Sequence, residues 1–98
     1  MKKEFFLRAL ALVAEKTGVN QDAIRSFGRT EEELDARAMV VYLCRKYGLT
    51  NKDIRNLFGR NGHRFTQNMY DICMSRKQFS SYYSSLCVST CKQLGICE

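Results

Sequence analysis

The residues best suited to chemistry gather in one short stretch of this 98-residue sequence, NLFGRNGHRFTQNMYDI at 56–72. It holds the only histidine of the chain, His63, which lies between Arg60 and Arg64. An arginine can pair with a phosphate or make two hydrogen bonds to guanine, and a histidine at such a site can donate a hydrogen bond to either. These residue types predict contact with a polyanion.

The distribution of charge along the chain supports that prediction. The net charge is +6, and residues 37–77 carry nine basic and two acidic side chains, which accounts for the whole excess. The flanking segments 1–36 and 78–98 have net charges of −1 and 0. Because the positive charge is concentrated in one segment, we expect a polyanionic partner, and nucleic acid in particular.

The five cysteines argue against other kinds of site. An odd number of cysteines without a signal peptide favours reduced thiols and a cytoplasmic location. Cys87, Cys91 and Cys97 are close in sequence but have no nearby histidine to complete a zinc site. A nucleophile formed by Cys73 and His63 would need a third, orienting group, which the sequence does not supply. We therefore expect no enzyme activity, no metal, no cofactor and no small-molecule substrate.

The first residues superficially resemble a secretory signal. Arg8 interrupts the apolar run MKKEFFLRALALVA, and the helical spacing of its apolar residues continues to Lys16. No apolar stretch in the sequence is long enough to span a bilayer. We therefore expect neither a signal peptide nor a membrane partner.

The apolar spacing and the absence of proline predict an all-α fold, a bundle of five to six helices in one domain over 1–98. Thr30 with Glu33 has the pattern of a capping box, as does Ser75 with Gln78, which predicts a helix break at the second pair. Glycines predict most of the helix ends. The predicted helices are 2–17 ending at Gly18, a short one between Asn20 and Gly28, one from Thr30 to Gly48, one from Thr50 to Gly59, one beginning near His63 or Arg64, and a final one over 76–94 with Phe79 facing inward.

Residues 50–74 thus form a helix, a glycine-containing turn and a second helix. This is the organisation of a helix-turn-helix, in which the second helix lies in the major groove of DNA. The polar residues on the outer face of that second helix include Thr66, Gln67 and Asn68, and glutamine or asparagine suits the donor and acceptor of adenine. Lys52 and Arg55 on the first helix would neutralise phosphates.

The stretch ARAMVVYLCRKYGLTNKDIRNLFGRNGHRF resembles the C-terminal DNA-binding domain of DnaA, the bacterial chromosomal replication initiator. The matching features are an arginine that opens a helix, an apolar run with a YLCR-type end, an Ile…Phe-Gly pattern and a basic corner with histidine. They fall at Arg37, 42–45, Ile54 with 58–59, and His63, and the resemblance covers roughly 5–74. It implies an all-helical module that contacts a short duplex site, with Arg37 in the minor groove.

Some base-contacting positions of that family are different here. Gly62 stands at the family's aspartate, and Arg64 with Phe65 stands at its two threonines, so we expect a different target sequence. The acidic segment 30–36 replaces a basic loop of the family. The candidate DNA-contacting residues are Arg37, Lys52, Arg55, Arg60, Asn61, His63, Arg64, Thr66, Gln67 and Asn68.

Two functions remain open at this point. The first is sequence-specific binding of double-stranded DNA by a stand-alone, replication-initiator-like or regulatory protein. The second is a helical protein–protein interaction module that keeps the fold but no longer binds DNA. The acidic residues at 31–35 and the Ser-, Tyr- and Cys-rich last helix, as the surface for another protein, favour this alternative.

Overall fold

The computed structural model describes residues 2–26, 28–60, 62 and 64–96, and these residues form six α-helices without any strand. The predicted fold class, a small all-α bundle of five to six helices, is confirmed. The helices are α1 (Lys2–Thr17), α2 (Gln21–Arg25), α3 (Glu31–Tyr47), α4 (Asn51–Phe58), α5 (Phe65–Phe79) and α6 (Ser81–Leu94).

Helix α3 runs through the centre of the bundle. Every residue from 36 to 44 is buried, so this stretch has no side that faces solvent. Helices α1, α2, α4 and α5 all pack against α3. A helix that is buried on all sides is a core helix, and the remaining helices here form a shell around it.

Two capping boxes fix where α3 and α4 begin, and the first of them was predicted from the sequence. The Thr30 hydroxyl accepts a hydrogen bond from the Glu33 backbone N–H at 3.2 Å, and the Glu33 carboxylate accepts one from the Thr30 N–H at 3.0 Å. Thr50 and Asp53 make the same reciprocal pair at the start of α4, at 3.1 and 3.2 Å. Each box pairs backbone donors that have no partner within the helix.

Glycines end α3 and α4 as predicted, whereas the short second helix ends differently. Gly48 and Gly59 have φ values of +112° and +71°, a backbone conformation that other residues rarely adopt. Gly28 was expected to have the same role after α2, but it is not among the glycines with positive φ. Helix α2 already ends at Arg25, and the carbonyl groups at its end are bonded by a side chain of α3, described below.

The boundary between the last two helices lies later than predicted. Helix α5 continues through Ser75 and Gln78 to Phe79, so the break expected at that pair is wrong. Ser80 begins α6 instead, because its hydroxyl accepts a hydrogen bond from the Tyr83 N–H at 3.2 Å. Phe79, expected to face inward, is 80% exposed because it ends α5 just before this break.

Candidate nucleic-acid interface

Helix α4, helix α5 and the residues described between them, 59, 60, 62 and 64, form a unit that we call the corner. Ile54 and Phe58 are buried on the inner face of α4. The centroid of the Phe58 ring lies 5.1 Å from that of Phe6 in α1 and 5.4 Å from that of Phe65. Because Phe65 is the first residue of α5, these edge-to-face contacts hold the start of α5 against α4 and α1.

Four of the predicted contact residues place positive charge at the outside of the corner. Lys52, Arg60 and Arg64 are exposed, and Arg55 is half-buried. Within the part of the chain that the structure describes, neither Lys52 nor Arg64 makes an ion pair. Two further predicted residues, Asn61 and His63, lie outside the described residues.

The two acidic residues of the basic segment are both engaged elsewhere. The Asp53 carboxylate lies 3.1 Å from the Lys2 ammonium of α1 and also accepts the N–H of Thr50. These hydrogen bonds, with that to Lys2 first, hold the pKa of Asp53 below its ordinary value. The Asp71 carboxylate accepts a hydrogen bond from the Gln67 amide at 2.8 Å. Neither carboxylate forms an ion pair with Lys52 or Arg64 among the described residues, and Asp71 keeps its negative charge on the exposed side of α5.

Arg37 has a different role from the one that the resemblance implies. Its side chain is only 3% exposed. Its Nε donates to the carbonyl of Ile24 at 2.7 Å, and its Nη2 donates to the carbonyls of Ala23 and Gly28 at 3.0 and 3.2 Å. The prediction of a minor-groove contact at Arg37 is therefore wrong for this structure: the guanidinium is buried where it bonds the carbonyl groups at the end of α2.

Burial and two nearby charges act on the pKa of Arg37. Burial lowers the pKa of the Arg37 guanidinium, the charge of Glu33 opposes this effect, and the positive charge of Arg60 lowers the pKa further. Arg37 nonetheless stays protonated, as arginine does in proteins. Phe58 and Gly59 line one open cavity together with Arg25 and Ser26, so the end of α4 borders the end of α2.

Thr66 is a second predicted contact residue that the structure does not expose. It is fully buried, and its hydroxyl lies 3.5 Å from the Asn51 carbonyl at the start of α4. A residue that packs α5 against α4 cannot touch a base without opening the corner, so that prediction is wrong. Gln67 and Asn68, the next two residues of α5, are exposed as a DNA contact requires.

The amide of Gln67 is held by two neighbours. Its Oε1 accepts a hydrogen bond from Arg45 Nη1 at 3.3 Å, and its Nε2 donates to Asp71. The Arg45 guanidinium in turn lies 4.3 Å from the ring centroid of Tyr70, a cation–π contact. An amide has two N–H groups and two lone pairs. These contacts leave one N–H group and one lone pair of the Gln67 amide unused. Adenine offers a matching acceptor and donor in the major groove.

Sequence reasoning did not select Arg45. The residue lies in the last turn of α3 and is separated from Gln67 by more than twenty positions along the chain. Only the fold brings the two together, through the packing of α3 against α5. The one available signal was that Arg45 and Lys46 belong to the same basic segment as the corner.

The described cysteines lie in the core. Cys44, Cys73, Cys87 and Cys91 are buried thiols, and burial raises the pKa of Cys44 to about 12, which keeps it protonated and unreactive. In the described ranges, no three histidine, cysteine, aspartate or glutamate side chains come together as metal ligands. Among the described helices, none has both the length and the apolar character needed to cross a bilayer.

Comparisons of the chain with protein-family models, curated proteins and solved structures found no match. The resemblance to the initiator domain therefore stays a prediction from sequence motifs. Arg37, the residue that the resemblance places in the minor groove, is buried in this structure.

Proposed function

We propose that this chain binds double-stranded DNA through the corner, with the start of α5 in the major groove. The observation that carries the proposal is the set of exposed cations at one helix–turn–helix unit whose two acids are bonded to other groups. Lys52 and Arg64 stand at the beginnings of the two helices, where each can approach a phosphate.

The start of α5 is suited to a negatively charged ligand. Unlike α4, it has no side-chain cap and no acidic residue in its first turn, and Arg64 occupies the capping position. Backbone N–H groups at a helix start attract anions, and an arginine at this position increases the attraction. Gln67 and Asn68 follow in the first two turns, where a recognition helix contacts base edges.

The proposed role is that of a regulatory or replication-initiator-like DNA-binding protein rather than an enzyme. Support for the initiator type comes only from the sequence resemblance around 36–65. The odd number of cysteines and the burial of four of them as thiols support a reducing compartment such as the cytoplasm. The departures at Gly62, Arg64 and Phe65 indicate that any specific site is not that of the family.

A titration of a random-sequence DNA duplex at two salt concentrations tests the proposal. Four phosphate contacts predict that log K falls with log salt with a slope of about −3.6, a loss of roughly 100-fold between 50 and 200 mM salt. Absence of binding even at low salt would favour the alternative, an interaction module that keeps the fold without DNA binding. Selection from a randomised duplex pool would then define the preferred site.

A further inference from the structure

A second candidate surface lies where α5 and α6 meet beside the start of α3. An open cavity of about 240 Å³ lies between these helices and the end of α1. Val19, Ala36 and Leu86 give it an apolar wall, and the rings of Tyr82 and Tyr83 border it. Its volume is below the roughly 300–1,000 Å³ of typical small-molecule sites, which suits one inserted side chain better than a cofactor.

Two aromatic rings at the boundary of α5 and α6 are unusually exposed, and one of them, Tyr82, lines this cavity. Phe79 is 80% exposed and Tyr82 is 71% exposed, whereas the other large apolar side chains exposed in the described chain, such as Leu7 and Tyr47, are near 40%. The helix break at Ser80 leaves both rings outside the core. Apolar surface concentrated in this way marks a contact with another molecule more often than scattered exposed residues do.

The mouth of the cavity carries a net negative charge. The carboxylate of Asp35 accepts a hydrogen bond from Arg76 Nε at 2.9 Å, so these two charges neutralise each other. Glu32 lines the cavity, and Glu31 precedes it in the first turn of α3. Neither Glu31 nor Glu32 makes an ion pair with a described residue. Arg29, the nearest base in sequence, is not part of the lining.

We infer that this cavity, the α5–α6 cavity, binds a segment of another protein that inserts one large apolar side chain and carries lysine or arginine beside it. The apolar wall and the exposed ring of Tyr82 would cover the inserted side chain. Glu31 and Glu32 would attract the adjacent cations, because opposite charges at the rim of an interface select the partner and orient it.

The cavity lies at the end of α5, and the proposed DNA contacts lie at the start of that helix. Helix α5 connects them, and its fifteen residues from Phe65 to Phe79 span about 22 Å at 1.5 Å per residue. One partner can therefore bind at each end without contact between them. The inference does not depend on the DNA proposal, since duplex titration and peptide binding are separate measurements and either can fail alone.

Selection from a displayed library of short random peptides tests the inference. We expect enrichment of peptides in which an aromatic or large aliphatic residue stands beside lysine or arginine. The double variant Glu31→Gln/Glu32→Gln should weaken an enriched peptide on the order of fivefold, as expected for two exposed ion pairs. Tyr82→Ser should weaken it on the order of tenfold, since buried aromatic contacts dominate such interfaces.

Glu4→Gln is the matched control, because Glu4 is also an exposed acid in the first turn of a helix. It should leave peptide affinity unchanged, and circular dichroism should show that all variants fold. Lack of enrichment, enrichment of peptides without basic residues, or equal affinity for the wild type and the Tyr82 variant would overturn the inference. Self-association of the wild type that the glutamine pair abolishes would assign the cavity to a second copy and overturn it too.

Discussion

Replacement of Arg37 by alanine separates the role that the structure shows from the one that the resemblance implies. The variant loses three hydrogen bonds to carbonyl groups at the end of α2, one of them buried and two partly buried. A hydrogen bond from a charged donor contributes about 1.5–3 kcal/mol, and water replaces part of it at a partly buried carbonyl. We therefore expect a loss of about 3–5 kcal/mol, a large share of the roughly 5–15 kcal/mol that stabilises a domain.

Urea unfolding followed by circular dichroism measures this loss. With a typical slope of about 1–3 kcal/mol per molar urea, the unfolding midpoint should fall by roughly 2 M. Arg37→Lys keeps a charge and can bond only one or two carbonyls, so about half the loss is expected. Where these variants are folded, the salt slope of DNA binding should equal that of the wild type. A stability loss below about 1 kcal/mol with a slope reduced by about 0.9 would refute the reasoning and place Arg37 on DNA.

Three further predictions concern the corner and the start of α4. Lys52→Ala and Arg64→Ala should each reduce the salt slope of duplex binding by about 0.9, as fluorescence anisotropy can measure, because each removes one phosphate contact. Gln67→Ala should leave that slope unchanged but remove about 1–3 kcal/mol of preference at one base pair, as sequencing of a selected duplex pool would show. Because hydrogen bonds, that from Lys2 first, lower the pKa of Asp53 in the folded state, its contribution to stability is present above the unfolded-state pKa. That contribution is lost as pH falls through the folded-state pKa. When the urea unfolding midpoint is measured over a range of pH, Asp53→Asn should therefore make its fall at acidic pH less steep.

Matched variants control for charge alone. Arg8 is an exposed arginine of α1, away from the corner in sequence, and Arg8→Ala should leave the salt slope almost unchanged. An equal effect of Arg8→Ala and Arg64→Ala would mean that duplex binding follows net charge and not the corner. Asp22→Asn is the matched control for Asp53→Asn. If both variants reduced the pH dependence of the urea midpoint equally, the α4 capping box would have no special role.

Local signals in the sequence were enough to predict most helix ends. The Thr30 capping box and the left-handed glycines at 48 and 59 involve only residues within one turn of the chain, so no knowledge of packing is needed. The same kind of signal failed at Ser75 and Gln78. These residues have capping-box spacing, but a continuous helix also accommodates them. The break falls at Ser80, whose hydroxyl accepts the Tyr83 N–H, and the Tyr83 hydroxyl donates to the distant Asp35 carbonyl.

Contacts between distant parts of the chain could not be predicted in this way. Arg37 and the end of α2 are more than nine positions apart, and nothing in the local sequence shows that α2 ends without a left-handed glycine. Likewise, the burial of Thr66 depends on how α5 crosses the start of α4. The sequence shows directly that the segment 37–77 is basic. The packing of the helices decides which of its basic side chains face solvent.

The positions of the corner cations make a final prediction about stability. A basic residue near the end of a helix, such as Arg45 in α3, is favourable for the helix itself, so its charge needs no functional explanation. Lys52 and Arg64 lie at helix beginnings, where a positive charge costs about 0.3–1 kcal/mol. Alanine at either position should therefore raise the urea midpoint while it weakens duplex binding. If both variants instead lose stability, these cations support the fold, and the case for the corner as a DNA-binding surface loses its main support.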